Sequence, residues 1–410
     1  MTPADAAAGA AERVARERYG RLVAFLAART RDVAGAEDAL GDAFAAALRV
    51  WPVDGVPDNP DAWLLTVARR RQTDAIRRRH TQDSAEADLR IIADAIDAAA
   101  TEVDAIPDRR LALMFACAHP AIDPGMRAPL ILQTILGFTA EEIASAFLVS
   151  AATMGQRLVR AKARILDAGI PFRLPEPEDL PERLETVLDA IYAAYGKGWN
   201  EVGDAGVPEI ADEAVWLGRL VVSLLPTAPE AKGMLALMLY AEARRGARRD
   251  AAGAYVPLEA QDTTRWDASQ IAAAEGLLRE ASAGGPTGRY QLEAAIQSAH
   301  TARRLTGVAN WPAIVRLYDH LLALTESPVV VLNRAVAQAE IDGPDAALAA
   351  MAPLAGDKRM SSYQPYWAAR AHLLARAGRA ADAREAFTVA IGLTTDEAVR
   401  AYLQAQMAAG

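Results

Sequence analysis

The sequence predicts an all-α protein, and three observations carry that expectation. Hydrophobic residues make up 52% of the chain while aromatics make up only 6%, and much of the apolar content is Ala and Leu, a balance that favours helix over sheet. Apolar positions recur at helical spacing over long windows. Gly and Pro fall mostly between those windows. At 410 residues the chain exceeds one ordinary domain, so two or three are expected.

Composition also bounds the setting. A lone cysteine, Cys117, cannot form an internal disulfide, and the five histidines, His80, His119, His300, His320 and His372, lack ligand spacing. A reducing compartment is expected, with no structural metal and no cofactor. The first twenty residues have no basic start followed by an apolar run, and no stretch approaches the roughly 18 apolar residues of a membrane span. The expectation is a soluble, cytoplasmic protein with no membrane partner.

From Glu12 to Leu48, Val14, Leu22, Val23, Phe25, Leu26, Ala36, Leu40, Phe44 and Leu48 fall at helical spacing, which predicts two helices parted near "RTRDVAG". "WPVDGVPDNP" (51–60) then reads as a loop, with three prolines and a glycine. Asn59 suits an N-cap and Pro60 the first helical position, so a helix is predicted from there to Arg79. Trp63, Leu64, Val67, Ala68, Ala75 and Ile76 give it one apolar face. Six arginines occupy most of the rest, interrupted only by Asp74. Guanidinium groups bind phosphate in bidentate fashion, and a solvated helix face normally interleaves carboxylates, so the block points to nucleic acid even in a chain of net charge -9.

Residues 81–108 carry eight carboxylates against one arginine and read as a linker. Beyond it, "LALMFACAHP" predicts a short apolar helix, and Pro129 predicts a kink or a late start in the one after it. Thr139 and Glu142 have capping-box spacing ahead of Ile143, Ala144, Phe147 and Leu148. Val149 and Ser150 form a tight turn, with Ser150 placed to cap a helix over 151–166 that buries Met154, Leu158, Ala161 and Ile165. Its outward residues are Thr153, Gln156, Arg157, Arg160 and Arg164. Two short helices, a tight turn and a basic free face on the second predict a helix-turn-helix that reads DNA.

A proline-rich acidic stretch marks a boundary near 170–183, and helical patterns follow. Gly343 and Gly378 lie 35 residues apart, each between an apolar and an alanine-rich helix. Trp367, Ala371, Leu374, Ala383, Phe387 and Ala390 sit at the small and large positions of a tetratricopeptide repeat. Enzyme signatures are poor. "YGKGWNE" fails the phosphate-loop pattern at Ile191 and at Gly198. Asp262 and Asp267 in "QDTTRWD" read as a capped helix start with a local ion pair, and the arginines of "ARRGARRDAAG" as a solvated helix end. No catalytic site is expected.

"AEDALGDAFAAAL", "NPDAWLLTVARRRQTDAIRRR" and "FTAEEIASAFLVSAATMGQRLVRAKARI" resemble regions 2 and 4 of extracytoplasmic-function sigma factors of RNA polymerase. Segments such as "DEAVWLGRLVVSLLP" and "SPVVVLNRAVAQAEIDG" resemble the subgroup with a tetratricopeptide-like C-terminal extension. Gly41 stands where that family often has a polar residue. The resemblance implies a region 2 domain over 10–80, the acidic linker over 81–108, a region 4 helix-turn-helix domain over 109–170 and a helical repeat domain over 180–410. It implies docking on RNA polymerase core, at the clamp helices of the largest subunit through Glu37, Asp38, Asp42 and Phe44, and at the flap region. It further implies that Trp51, Asp58 and Asn59 receive a flipped base of the −10 element, that Arg69, Arg70, Arg77 and Arg78 hold phosphates, and that the 151–166 helix enters the −35 major groove. The C-terminal domain would dock on the sigma domains or the polymerase as a regulator or scaffold. On the residues alone, a stand-alone helix-turn-helix regulator with a peptide- or ligand-binding helical domain is the alternative.

Overall fold

The computed structural model describes residues 2–80, 109–147, 149–176, 178–200 and 208–409. Its regular structure is helical throughout, apart from one isolated antiparallel bridge between Arg249 and Tyr255. The 81–108 linker and Leu148 lie outside the described residues. Two compact units divide the chain, one comprising residues 1–198 with 208–214 and the other residues 199–207 with 215–410.

In the first unit, α1 (Pro3–Thr30), α2 (Val33–Asp54) and α3 (Pro60–His80) pack on one another. α1 begins well before Glu12 because Thr2 and Asp5 form a capping box, and because its early buried face is built from Ala7, Ala10 and Ala11, residues too small to stand out as a hydrophobic stripe. Arg31 closes it in the left-handed region at φ 58°. Asp32 then caps α2 through the Gly35 amide at 2.8 Å. The expected loop at 51–54 is instead the last turn of α2, with Pro52 inside the helix. The hydrogen bond that Pro52 cannot donate would have gone to the carbonyl of Leu48, a residue 52% exposed, and a proline one turn past a solvent-facing residue near a helix end costs less than one in a buried helix interior. Leu48 therefore leaves the predicted core.

α4 (Arg110–Cys117), α5 (Pro124–Leu136), α6 (Ala140–Ala146) and α7 (Ala151–Asp167) follow. Pro129 is accommodated within α5, whose N-cap is Asp123. The Thr139–Glu142 box closes reciprocally, the two amide-to-side-chain bonds measuring 2.8 and 3.2 Å. Ser150 accepts the Thr153 amide at 3.2 Å. Ile143 and Ala144 are buried as expected, whereas Phe147 is 38% exposed because α6 stops at Ala146 and the turn carries the next residue outward. Met154, Leu158, Ala161 and Ile165 are buried. α8 (Leu180–Asn200) is tied to α4 by Arg183, whose guanidinium donates to the Phe115 carbonyl and lies over its ring. Arg110 pairs with Glu213 of α9 (Pro208–Leu224).

In the second unit, α10 (Pro229–Glu242), α11 (Ala268–Ser282), α12 (Arg289–Thr301), α13 (Arg303–Thr306), α14 (Trp311–Thr325), α15 (Pro328–Asp342), α16 (Pro344–Met351), α17 (Lys358–Ser361), α18 (Gln364–Arg376), α19 (Ala380–Leu393) and α20 (Glu397–Ala409) form a run in which the longer helices pack on their neighbours in sequence. Gly343 and Gly378 turn two of its hairpins at φ 85° and 74°, values that a side chain would resist. Ala371 and Leu374 meet Ala383, Phe387 and Ala390 in one apolar cluster with Leu403 of the last helix.

Between α10 and α11, residues 243–267 form a strap of three short 3-10 turns. Its arginines do not end in solvent as the sequence suggested. Arg244 donates to Gln297 at 2.7 Å, Arg245 pairs with Glu242 at 2.5 Å, and Arg249 pairs with Asp396, 147 residues away, at 2.5 Å. Asp267 caps α11 as expected, but Arg265 serves the Gly246 and Arg249 carbonyls.

His300 of α12 lies edge-on to Trp311, with ring centroids 5.5 Å apart. Burial, helped by the nearby Arg244 and Arg303 charges, pushes its pKa down to about 4. The unfolded chain thus binds a proton near pH 6.5 that the folded chain refuses until about pH 4, so stability contributed by neutral His300 is present above 6.5 and lost as pH falls through that window. His300→Gln should flatten the acid limb of the thermal-unfolding profile between pH 6.5 and 4, where the native chain is expected to lose up to about 3 kcal/mol. Parallel profiles for the two proteins would show that another group governs that limb.

Candidate nucleic-acid interface

Three surfaces of the first unit carry the residues singled out in the sequence. On α2 the exposed positions Asp38, Gly41, Asp42, Ala45, Leu48 and Arg49 recur at helical spacing and form one stripe. Gly41 has nothing within 4 Å of where a side chain would start, so the polar residue common in the resembling family would fit there. Asp38 and Asp42 thus stand on a free face. Phe44 is half-buried. Glu37 is not on that face. Its carboxylate meets Lys162 of α7 at 2.5 Å, with both side chains about nine-tenths buried, and burial raises its pKa against the opposing pull of Lys162. Burial, with Glu37 and Asp38 beside it, likewise pushes up the Tyr19 hydroxyl.

The second surface is the start of α3. Asn59 and Asp58 are exposed, and Asn59 caps the helix by accepting the Ala62 amide at 3.1 Å. Trp51 is 1% exposed and packs edge-on against Trp63, centroids 5.4 Å apart, so in this conformation it belongs to the core and not to a base pocket. Arg69 also departs from expectation. It is half-buried, with its guanidinium 4.9 Å from the Phe25 ring centroid, and desolvation, aided by Arg29, lowers its pKa. Arg70 and Arg71 are exposed, Arg71 standing 3.9 Å from Asp42. The side chains of Arg77 and Arg78 lie outside the described residues.

The third surface is α7. Gln156, Arg157, Arg160 and Arg164 are exposed and Thr153 is half-exposed, its hydroxyl 2.8 Å from that of Ser150. Arg157, Arg160 and Arg164 also line a cleft of about 590 Å³ whose far wall is Ala121 to Met126. Arg164 donates to the Ala121 carbonyl at 3.5 Å. Asp123, the carboxylate in the lining, is engaged with the Gly125 amide at 2.9 Å. The face is cationic and open, which suits a polyanion. Sequence reasoning had not anticipated the 121–126 wall, since the turn over 121–123 that leads into α5 has no periodicity to read. Among the described residues no group of three His, Cys, Asp or Glu is placed to hold a metal ion, and no helix is long and apolar enough to cross a membrane.

This is an all-α protein with an N-terminal segment like sigma-70 region 2: residues 15–81, which run from the middle of α1 through α2 and α3, match the family described as Sigma-70 region 2. Residues 183–282 match DUF6596, a family of unknown function. The uncharacterized protein R00370 of Rhizobium meliloti (strain 1021) is 39% identical over 379 residues, covering 91% of this chain and 89% of that protein, and the chain belongs to the same family as that protein. No solved structure matches it.

Proposed function

We propose that the chain is a promoter-specificity subunit of RNA polymerase of the extracytoplasmic-function type, without catalytic activity of its own. The observation that carries this reading is the coincidence of the sigma-70 region 2 match at residues 15–81 with the arginine-bearing α3. In this reading the Asp38–Asp42 stripe of α2 docks on the clamp helices of the largest polymerase subunit, and the end of α2 and α3 act at the −10 element, with Asp58 and Asn59 at a flipped base and Arg70, Arg77 and Arg78 at phosphates. α6 and α7 serve as a helix-turn-helix at the −35 element. Gln156, Arg157 and Thr153 are its base-facing residues, and Arg160 and Arg164 its phosphate contacts. The C-terminal hairpins are a tetratricopeptide-like scaffold whose role is protein contact.

Run-off transcription with core polymerase and this chain, against core alone, tests the reading. Gln156→Ala or Arg157→Ala should relax selection at the −35 element by about 1–3 kcal/mol per lost base contact, while Arg70→Ala should slow duplex opening without changing sequence choice. Identical promoter profiles and opening rates for the two classes would refute the division of labour. Tight, sequence-specific DNA binding by the free protein without association with core would instead identify a stand-alone regulator.

A further inference from the structure

The cleft beside α7 is built differently from the face proposed to read bases. Arg157, Arg160 and Arg164 line it, at the i, i+3 and i+7 spacing that sets side chains in a row along one edge of a helix. Thr153 and Gln156, the other outward residues singled out on α7, do not line it. Arg160 and Arg164 donate through Nε to the Gln156 and Ala121 carbonyls at 3.4 and 3.5 Å, which leaves the outer edge of each guanidinium fork for a ligand. Among the described residues none of the three arginines is paired with a carboxylate. The facing wall is the turn before α5 and its first residues. Ile122 and Met126, with Ala161 from α7, give the cleft an apolar floor. Asp123, the carboxylate in the lining, accepts the Gly125 amide through one oxygen at 2.9 Å, and its second oxygen can accept from a hydroxyl.

At about 590 Å³ the cleft lies within the range of about 300–1,000 Å³ usual for small-molecule sites. A space of that size walled on two sides admits a nucleotide, whereas a duplex would rest on its rim. Three guanidinium forks in a row suit a run of phosphates. The apolar floor suits the face of a base. Asp123 suits a sugar hydroxyl and repels bare phosphate, so it favours a ligand that carries both groups over an inorganic polyanion. We propose that this cleft is a binding site for a free nucleoside polyphosphate, with Arg157, Arg160 and Arg164 on the phosphates, Ile122 and Met126 under the base and Asp123 at the sugar. Arg160 and Arg164 are also the phosphate contacts proposed at the −35 element, so a bound nucleotide and DNA on α7 exclude each other. That consequence rests on the promoter-specificity reading; the site itself does not.

Calorimetric titration of the full chain with GTP, ATP and inorganic tripolyphosphate, at a salt concentration of about 0.15 M that screens diffuse attraction, tests the site. A single saturable site is expected, with one of the nucleotides bound about tenfold more tightly than tripolyphosphate, as a base on the floor and a hydroxyl at Asp123 add to the phosphate contacts. Arg157→Ala and Arg164→Ala should each weaken nucleotide binding about tenfold, while Arg384→Ala, at an exposed arginine of the second unit, should leave it unchanged. Asp123→Asn, which can still cap α5, should narrow the preference for nucleotide over tripolyphosphate. No saturable binding, tripolyphosphate bound as tightly as both nucleotides, or equal weakening by Arg384→Ala would overturn the site, and the comparison of ligands on the unsubstituted chain decides this even if a variant fails to fold. Excess duplex DNA should displace the nucleotide from the free chain, and simultaneous binding of both would overturn the exclusion. Nucleotide binding as expected by a chain that does not direct transcription with core would overturn the promoter-specificity reading and leave the site standing.

Discussion

Trp51→Ala should destabilise the first unit by about 3–5 kcal/mol, the usual cost of emptying a large buried aromatic site, and, on the promoter-specificity reading proposed above, should reduce promoter activity only through that loss of fold. The side chain is 1% exposed and meets Trp63 edge-on, a geometry that adds attraction beyond burial alone. Its indole nitrogen has no hydrogen-bond partner, so Trp51→Phe gives up ring volume but no polar contact and should cost nearer about 1 kcal/mol. Thermal unfolding of both variants, with duplex opening measured well below their midpoints, separates the roles. A Trp51→Ala protein that unfolds like wild type but fails to open the −10 element would return Trp51 to the base pocket. The helical position of the residue makes this result unexpected, since reaching a base would require the last turn of α2 to unwind.

Reading Trp51 as a loop residue shows where sequence is informative and where it is not. Caps act within three residues of themselves, so Asn59, Ser150 and the Thr139–Glu142 pair were all visible in the chain. The buried stripe of α7 was equally plain, because its period is local. Pro52 was misleading because proline is a breaker only where the lost hydrogen bond matters, and whether the Leu48 carbonyl faces water is decided by tertiary packing. Three further features depend on partners far along the chain: Lys162 with Glu37, Arg249 with Asp396, and Gly20 with Ile135. A glycine in mid-helix is the one local hint among them, since it costs about 1 kcal/mol relative to alanine and so asks for a packing reason. Nothing in the sequence says where that reason lies. The same limit explains why Glu37 could be grouped with Asp38 and Asp42, its neighbours in sequence, although one residue of helix rotation carries it from the free stripe to the buried side.

Arg303→Ala should release the 243–267 strap of the second unit, at a cost of about 3–5 kcal/mol. The strap is irregular backbone, and its carbonyls lack the ladder that a helix or sheet would supply, so they depend on donors from elsewhere. Arg303 is the chief one. Its guanidinium donates to the carbonyls of Leu258, Glu259 and Gln261 and lies 5.1 Å from the centroid of Trp266, itself only 4% exposed. Hydrogen bonds from a charged donor contribute about 1.5–3 kcal/mol each; the total is held below three times that figure because the strap can open locally and let water reach the freed carbonyls. Amide exchange should therefore accelerate at Val256 and Asp267, whose amides bond across the strap to Arg248 and Ala243 at 2.9 Å, while the α18–α19 hairpin keeps its protection. Arg303→Lys should rescue little, because one ammonium cannot serve three carbonyls and stack flat on an indole as a planar fork does. Unchanged exchange over 248–267 in Arg303→Ala would mean that the opposite anchor, Arg249 on Asp396 with Tyr255 against Tyr402 at 5.3 Å, holds the strap unaided. Asp396→Ala in that background would then be the change that frees it.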